Sequence, residues 1–600
     1  MQQWPHTDDV PVTRYVTYRN LGTTPVTLDL AVETTGQGGT VPPGMFTASP
    51  RRLTVPAGGT AEADVTADTR LGTTDGTKTG VLVAAGDGQQ IRTALAVQRE
   101  EESHTLTVRY RDHQGVPATP SSSVVARPGW GTSLDDNDGD GTTTTRLPKG
   151  EYVLETLFSA SGPDDRRRVL MVAPHLQLTE DTDMTVDART AETIEISMPD
   201  DRAAAETASI GWSLPQSTDG TSSVWEFSDY STLSVGQVGP SAPPGRFSAF
   251  LGGSWTTPSD RFSAAWTRHG SYYTGFTHHV RAGELATLKI SAGASAPGRR
   301  GLLSATWNTP ALQGFGGRGT ELDTLPTTIK QHLLATGDLS WRVELWQTDG
   351  EQNPEAVLRA PERTYQAGAT YHTTFGTGVF APRVFGESGA WRHGDVLSMS
   401  VAPFSDGAGH LGTSRTSKTR VTLTANDTTL METDQSPFDL SMAPYATATD
   451  LPAAPTRYTL TTDFSRDQGV AAVSTRVTTR WSFTSADPGD GRRVRLPLST
   501  VRFDPLLSAA STAKAGKPLT VPLAIDGPAV DLGVKSLAVW VSYDDGITWT
   551  TAPVDMAKSG RSVTLHHPKG AKTVSLRTAL SDTRGNTMNQ SVISAYTLTP

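Results

Sequence analysis

Apolar and polar residues alternate in short stretches along this chain, from its first hundred residues to its last hundred. In one stretch, positions 26, 28, 30 and 32 are Val or Leu, whereas positions 27, 29 and 33 are polar. Successive side chains of a β-strand point to opposite faces, so this period of two indicates a half-buried strand. Turn sequences rich in glycine or proline separate the stretches. The sequence therefore predicts an all-β fold, and the segment that best fits a single turn of helix is 329–334.

Length and composition limit the classes of protein to which the chain can belong. Its 600 residues correspond to about four domains of ~150 residues each. The absence of cysteine excludes disulfides, thiolate metal sites, iron–sulfur clusters and thiol catalysis. A formal charge of −10 argues against a nucleic-acid partner, because phosphate binding leaves a basic footprint. No apolar run approaches the ~18 residues that a membrane-spanning helix needs, so no membrane span is predicted.

We predict four units, delimited by changes in charge and in strand pattern. Residues 1–101 are predicted to form an Ig-like β-sandwich that ends at the charged run 99–102. Residues 102–200 resemble a carboxypeptidase-regulatory-like β module, because residues 147–152, LPKGEY, contain the L-P-x-G-x-Y pattern. Residues 201–500 are predicted to form a large Trp-rich β-sandwich region, for which one domain or two are both open. Residues 501–600 return to simple alternation and are predicted to form a fibronectin-III/Ig-like C-terminal domain.

An acidic loop in the second unit is the candidate metal site. Asp136, Asp138 and Asp140, followed by Gly141, fit the first six positions of an EF-hand loop. Three carboxylates two residues apart can converge on one hard cation, which suggests a structural Ca²⁺. The twelfth position is Leu147 rather than Glu and no flanking helix is expected, so the loop is not an EF-hand. A stabilising Ca²⁺ loop and a solvated acidic loop both stay open, and the sequence requires no cofactor.

Fragments of hydrolase motifs occur in the chain, but none is complete. Residues 386–390 read G-E-S-G-A and miss the last glycine of G-x-S-x-G. The S-x-x-K match at 511–514 and the K-T-G match at 78–80 stand in the reverse of the β-lactamase order. A match to the Asp-box of sialidases at 542–549 occurs once, and we interpret it as a well-formed hairpin. No catalytic residue is predicted, and we expect the chain not to be an enzyme.

Tryptophans are concentrated in the middle of the chain, where eight of the 13 lie between Trp212 and Trp391. Two roles are open for the aromatic residues of this region. They form either the core that a large β-sandwich needs or a platform on which sugars or extended peptides stack. The candidate platform residues are Trp225, Trp255, Trp266, Tyr272, Tyr273, Trp341, Trp346 and Trp391.

Several stretches, taken in their order, resemble one known context. They are WPHTDD at 4–9, PVTR at 11–14, YRN at 18–20, VPAGGT at 55–60, RLPKG at 146–150, SYDDG at 542–546, HPKGA at 567–571 and DTRGN at 582–586. Together they resemble the region that follows the catalytic domain in large secreted bacterial subtilisin-like (S8) serine peptidases. The resemblance spans the whole chain.

The resemblance implies an accessory region rather than the peptidase itself. A subtilisin-like triad needs D-[ST]-G, H-G-[ST]-H and G-T-S-M-A, and the sequence contains none of them. The fragments at 131–133, 269–271 and 412–414 are followed by the wrong residues, so no catalytic residue is carried over. The implied function is scaffolding or protein binding, with a subtilisin-like catalytic domain, another protein or a cell-surface polymer as partner. The alternative is a carbohydrate-binding or adhesive extracellular protein.

The resemblance also implies an extracellular location. The first residues contain no basic segment followed by an apolar one, so no signal peptide is expected in this sequence. An independent gene product and a piece of a longer secreted protein are both open.

Overall fold

The computed structural model describes residues 1–34, 41–136, 138–159, 166–214, 220–309, 312–315, 319–337, 339–426, 428–438, 444–557 and 560–600. The fold is nearly all β, with 60% of residues in strands and 3% in helices. The prediction of an all-β fold built from tandem β-sandwiches is confirmed. In the described residues, helical structure is confined to α1 (Ala529–Leu532) and to 3₁₀ turns at His6–Asp8, Thr69–Leu71, Ala188–Thr190 and Ala282–Glu284.

The first unit is a sandwich of two antiparallel sheets. Its strands are β1 Val12–Arg19, β2 Val26–Thr34, β3 Phe46–Ser49, β4 Arg52–Val55, β5 Thr60–Ala67, β6 Gly76–Gly86 and β7 Gln89–Arg99. One sheet has the order β1-β5-β3 and the other β4-β2-β6-β7. In β2, Leu28 and Leu30 are buried whereas Asp29 is exposed, as the alternation predicts. The two sheets enclose a core of their own.

The first strand of the second unit begins four residues after the end of β7. Its strands are β8 Ser103–Arg111, β9 Ser122–Arg127, β10 Trp130–Ser133, β11 Thr142–Pro148, β12 Gly150–Ser159, β13 Arg168–Leu178, β14 Thr182–Asp187 and β15 Glu192–Ser197. The N-terminal segment joins it to the first unit. Arg146 donates through Nη2 to the carbonyl oxygen of Trp4 at 2.6 Å and through Nε to Glu100 at 2.8 Å.

The central region continues the strand sequence without a helical interruption longer than one turn among the described residues. Its strands are β16 Ala204–Ser213, β17 Ser222–Phe227, β18 Leu233–Gln237, β19 Ser248–Thr256, β20 Asp260–His269, β21 Phe276–His279, β22 Leu285–Ala292, β23 Arg299–Thr309, β24 Leu312–Phe315, β25 Thr320–Leu325, β26 Thr327–Leu334, β27 Ser340–Thr348, β28 Pro354–Arg359, β29 Thr370–Phe375, β30 Ala381–Arg383, β31 Ala390–His393, β32 Val396–Met399, β33 Ala402–Ser405, β34 Leu411–Ser414, β35 Lys418–Ala425, β36 Thr428–Thr433, β37 Ala446–Ala448, β38 Thr456–Ser465, β39 Arg476–Ser485 and β40 Arg493–Arg495. The helical turn predicted at 329–334 is wrong, because this segment belongs to β26 and pairs with β20 and β22.

The C-terminal part completes two further sheets. Its strands are β41 Thr500–Phe503, β42 Thr512–Lys514, β43 Pro518–Asp526, β44 Val534–Ser542, β45 Thr550–Ala552, β46 Val554–Ala557, β47 Gly560–His566, β48 Thr573–Asp582 and β49 Thr587–Thr599. One sheet has the order β41-β43-β47-β46. The other has the order β36-β35-β38-β39-β49-β48-β44-β45, with β42 also paired to β49.

Sheets and core continue across the predicted unit boundaries at 200 and 500. The sheet β10-β9-β12-β13-β18-β15-β21 combines strands from both sides of residue 200, and the sheet that contains β39 and β49 combines strands from both sides of residue 500. One hydrophobic core runs from Ala126 to Leu598. The domain boundaries at residues 200 and 500 stay predictions. The shared core packs the second unit, the central region and the C-terminal part together as one body.

Candidate functional site

The thirteen tryptophans differ sharply in exposure, and one of them stands apart. Trp130 is 36% exposed, and among the described residues it is the only tryptophan that is not buried or half-buried. Of the eight aromatic residues considered for a platform, four are buried and four are half-buried. The buried ones are Trp255, Tyr272, Tyr273 and Trp341, and the half-buried ones are Trp225, Trp266, Trp346 and Trp391. Burial of these rings supports the interpretation that they form core.

Trp130 lies at the tip of the hairpin formed by β9 and β10. Pro128 and Gly129 form its turn, and Gly129 has a φ of 72°, which a side chain at this position would strain. The turn makes Arg127 and Trp130 direct cross-strand neighbours. It is anchored to the central region because Gly129 N donates to Thr221 Oγ1 at 2.9 Å. The sequence therefore presents Trp130 on a short hairpin that is fixed at its tip.

The Trp130 indole packs against two partners from the same unit. Its ring meets the ring of Tyr152 edge-on, with centroids 6.1 Å apart. The Arg127 guanidinium lies 5.4 Å from the Trp130 ring and 5.6 Å from the Tyr152 ring. Tyr152 is held in turn by donating through its hydroxyl to the carbonyl oxygen of Pro148 at 2.6 Å. These contacts fix an amphipathic surface of the kind that carries binding energy at protein interfaces.

A shallow groove runs beside this hairpin, between the second unit and the central region. It has a volume of about 50 Å³. Its lining includes Pro128, Tyr152, Pro174, His175, Leu214 and Arg246. Proline, tyrosine and leucine supply apolar surface to this lining, whereas the histidine and the exposed arginine supply polar groups. We call Trp130, Arg127 and this lining the hairpin groove.

A buried carboxylate joins the same two parts of the chain beneath the sheet. Glu155 on β12 accepts hydrogen bonds from Trp212 Nε1 at 2.7 Å, Ser223 Oγ at 2.8 Å and Trp225 Nε1 at 2.9 Å. Burial raises the pKa of Glu155, although these three donors act in the opposite direction. Sequence reasoning missed this cluster because its donors lie 57 to 70 residues further along the chain.

The three aspartates of the predicted metal site do come together. Carboxylate oxygens of Asp136, Asp138 and Asp140 all lie within 4.8 Å of one another. The pKa of Asp136 is lowered overall. Burial acts to raise it, but hydrogen bonds outweigh burial, and the largest of their effects comes from Thr119 Oγ1 at 2.7 Å. Leu147 is buried in β11, and its side chain has no oxygen to supply as the ligand that Glu provides at the twelfth position. Asp138 and Asp140 are exposed, and exposed acidic groups of this kind are common without an ion.

The serines of the hydrolase fragments occupy structural positions. Ser388 is fully buried and donates to the carbonyl oxygen of Arg383. Ser414 is also fully buried and donates to the carbonyl oxygens of Glu355 and Arg415, each at 3.3 Å. Neither hydroxyl hydrogen-bonds a histidine among the described residues, so neither forms the Ser–His pair of a catalytic triad.

One hydroxyl–imidazole–carboxylate arrangement does occur, on the strands β22, β26 and β20. Thr287 Oγ1 lies 3.0 Å from His332 Nδ1, and His332 Nε2 lies 2.9 Å from Asp260 Oδ1. The backbone N–H of Thr287 donates to Ala369 at 2.9 Å, so it is not free to stabilise an oxyanion. We interpret the arrangement as a cross-strand polar cluster of the sheet.

The Asp-box match forms a tightly hydrogen-bonded turn. Asp544 accepts hydrogen bonds from Ser542 Oγ at 2.6 Å and from Thr548 N at 2.9 Å, and Trp549 Nε1 donates to the carbonyl oxygen of Gly546. The bonds from Ser542 and Thr548 lower the pKa of Asp544 to about 2. Asp545 ties the turn to the neighbouring sheet by accepting from Thr573 Oγ1 at 2.9 Å and Ser594 Oγ at 3.0 Å, as expected for a hairpin that supports structure.

No family model and no curated protein matches this sequence. Among solved structures, the Pseudomonas aeruginosa CupB2 chaperone is 14% identical over 27% of this chain and 91% of that chain, with a TM-score of 0.13. The native conformation of Escherichia coli alpha-2-macroglobulin is 10% identical over 96% of this chain and 45% of that chain, with a TM-score of 0.16. The Lactobacillus rhamnosus GG pilus adhesin SpaC is 11% identical over 60% of this chain and 56% of that chain, with a TM-score of 0.11. TM-scores this low support no conclusion about shared function.

In the part of the chain that the structure describes, no helix has the length and hydrophobicity needed to span a lipid bilayer.

Proposed function

We propose that this chain is a non-catalytic scaffolding and protein-binding β-protein that holds an extended protein segment in the hairpin groove. The observation that carries the proposal is the exposed indole of Trp130, fixed by Arg127 and Tyr152 at the edge of an apolar groove. Tryptophan, tyrosine and arginine are the residue types enriched at the energetic centres of protein interfaces. A fixed indole loses little side-chain entropy on binding, which favours recognition by this hairpin.

Cavity size also favours a macromolecular partner over a small ligand. Four cavities in the described part of the chain have volumes of about 10 to 50 Å³, which is room for one to a few water molecules. Pockets that bury a small-molecule substrate usually measure several hundred Å³. A partner that lies along the surface, with one side chain in the groove, fits this geometry better.

The resemblance to the region after the catalytic domain of subtilisin-like peptidases suggests where such a protein would act. In that setting the β-units would brace a secreted catalytic domain or position its protein substrates. A genomic observation tests this part of the proposal. An upstream reading frame that encodes D-[ST]-G, H-G-T-H and G-T-S-M-A supports it, and the lack of one in any frame contradicts it.

The binding proposal is tested with labelled full-length chain on immobilised peptide arrays and glycan arrays. We expect binding to extended peptides, weakened by Trp130→Ala by about 2 kcal/mol, or roughly thirtyfold in Kd. Ile547→Ala is the matched control, since Ile547 is also an exposed apolar residue at a turn, and it should bind like the wild type. Peptide binding that Trp130→Ala leaves unchanged would refute the assignment to the hairpin groove.

Two further results, one from a separate casein assay and one from the glycan arrays, bear on the function. Casein hydrolysis that phenylmethylsulfonyl fluoride abolishes would refute the non-catalytic proposal. Binding to glycans in place of peptides, lost on Trp→Ala substitution in residues 201–400, would favour the alternative of a carbohydrate-binding or adhesive protein. The burial of the aromatic residues in that region favours the protein-binding proposal.

A structural Ca²⁺ in the acidic loop is a separate proposal, supported by the convergence of Asp136, Asp138 and Asp140. Calorimetric titration with Ca²⁺ should release heat and raise the melting temperature if the ion binds. Asp138→Asn should abolish both effects, because it removes one of three charges from the ligand set. No heat and no change in melting temperature for the wild type would refute the metal site.

A further inference from the structure

A buried cation lies in the interior of the central region. Arg466 follows β38 and is only 5% exposed. Its Nη2 donates to the carbonyl oxygens of Val473 at 2.7 Å and Ser474 at 3.1 Å, and its Nε donates to Ser474 at 3.3 Å. Loss of hydration on burial lowers the pKa of Arg466 to about 9, so the side chain still carries its charge at neutral pH.

This charge has no carboxylate partner among the described residues. The Phe404 and Phe380 rings lie 4.3 Å and 5.1 Å from the guanidinium and stabilise it in part. Glu355 is engaged elsewhere, since it accepts from Arg299 at 2.8 Å. Asp406 likewise pairs with His410 at 2.9 Å. A buried charge without a counter-charge destabilises the fold, so a compensating anion would stabilise it.

A cavity adjoins the guanidinium, and a buried hydroxyl without a hydrogen-bond partner also lines it. Arg466, Phe380, Phe404, Gln347, Ser295 and Thr413 are among its lining residues. Thr413 Oγ1 is buried and has no hydrogen-bond partner among the described residues. The hydrogen bonds that Arg466 donates to described residues come from its Nε and Nη2 atoms. The polar atoms of Gln347 are already used, because Oε1 accepts from Ser295 N and Nε2 donates to Glu355.

We propose that this cavity binds one monoatomic anion, chloride in ordinary buffers, between the Arg466 guanidinium and the Thr413 hydroxyl. Both groups are donors, and chloride accepts from both while it neutralises the buried charge. A water molecule would satisfy the hydroxyl but would leave the charge uncompensated. The volume of about 10 Å³ is room for one occupant near the size of a water molecule, which favours a monoatomic anion over phosphate, sulfate or a carboxylate. The anion would link β34, which carries Thr413, to the segment after β38.

The direct test uses bromide as the probe. Crystals of the full chain grown in sodium gluconate are soaked in sodium bromide, and data are collected at the bromine absorption edge. We expect an anomalous difference peak within hydrogen-bond distance of Arg466 and Thr413. A water molecule at this position with no anomalous signal overturns the proposal.

A solution test separates specific binding from a general salt effect. At equal ionic strength and pH 7, the wild type should melt at a higher temperature in chloride than in gluconate, because an anion that binds only the folded state stabilises it. Thr413→Val, which keeps the shape and removes the hydroxyl, should lose this difference. Thr479→Val is the matched control, since Thr479 Oγ1 is also buried without a partner but lines none of the four cavities.

Each result of the solution test has a defined meaning. Equal melting temperatures of the wild type in the two salts overturn the proposal. So does a chloride effect that Thr413→Val retains, or one that Thr479→Val also loses. Arg466→Met should lose the effect as well, and the threonine pair keeps the test decisive if the methionine variant fails to fold.

Discussion

Replacement of Glu155 by glutamine probes the buried cluster that joins the second unit to the central region. The amide oxygen can still accept from Ser223 and Trp225, but the amide nitrogen would face the Trp212 N–H, which now lies 2.7 Å from Oε2. The amide N–H of the glutamine and the indole N–H of Trp212 would then face each other as two donors. Because Trp212 is only 2% exposed, its N–H is left without an acceptor. A buried unsatisfied donor costs about 1–3 kcal/mol, so we expect Glu155→Gln to destabilise the fold by about this amount near pH 4.5.

The pH dependence of this difference has a definite sign. Burial raises the pKa of Glu155 in the folded state above its ordinary value of 4.5. A raised carboxyl pKa contributes stability that is fully present below the ordinary pKa and is lost as the pH rises through the folded-state pKa. The glutamine variant does not titrate at this position. The stability advantage of the wild type over Glu155→Gln should therefore shrink as the pH rises above 4.5.

Urea unfolding between pH 4.5 and pH 8, followed by tryptophan fluorescence and circular dichroism, measures this difference. Glu151→Gln is the control, because Glu151 lies on the same strand but is exposed. That variant should show neither the loss of stability nor its pH dependence. An advantage of the wild type over Glu155→Gln that grows between pH 4.5 and pH 8 would refute the reasoning.

Two other substitutions have expected outcomes that follow from local geometry. A Cβ at Gly211 would overlap the carbonyl oxygen of Ser223, so Gly211→Ala should lower the melting temperature by separating β16 from β17. Gly283→Ala is its control, because an added Cβ there meets nothing within 4 Å. If calorimetry shows that both variants lower the melting temperature equally, the interpretation is contradicted. Hydrogen bonds lower the pKa of Asp544 to about 2, and the largest contribution comes from Ser542. This carboxylate therefore contributes stability that is present above pH 3.8 and is lost as the pH falls towards 2. In urea unfolding, Asp544→Asn should lower the stability at pH 7 and remove this part of the acid sensitivity. If the variant loses as much stability as the wild type between pH 4 and pH 2, the prediction is refuted.

Much of the fold could be predicted from the sequence because strand formation depends on local pattern. The alternation at 26–33 correctly placed a strand with Leu28 and Leu30 on its buried face. The turn at 86–88 correctly joined two paired strands, β6 and β7. The segment 329–334 was harder, because Ile329 and the leucines near its end also fit a helical face. Pairing with β20 and β22 decided its conformation, and such long-range pairs are absent from a local pattern.

The candidate site was predictable only where its residues are neighbours in the chain. Asp136, Asp138 and Asp140 could be grouped from spacing alone, and the structure does bring their carboxylates together. The hairpin groove could not be found in this way, since Tyr152, Leu214 and Arg246 come from separate strands and loops. The one local signal was the sequence R-P-G-W at 127–130, in which a Pro-Gly turn places an arginine beside a tryptophan across a hairpin.

By itself, the sequence determined that this chain is built of β-strands, has no thiol chemistry and contains no complete hydrolase motif. Only the tertiary structure decided which aromatic rings are covered. The tryptophans of the middle region are buried or half-buried, whereas Trp130 lies on the edge strand β10 and is exposed. Tertiary structure also decided that Glu155 meets two indoles and that Arg466 shares a cavity with Thr413. Exposure and charge compensation depend on contacts between residues far apart in sequence, and these form only when the sheets stack.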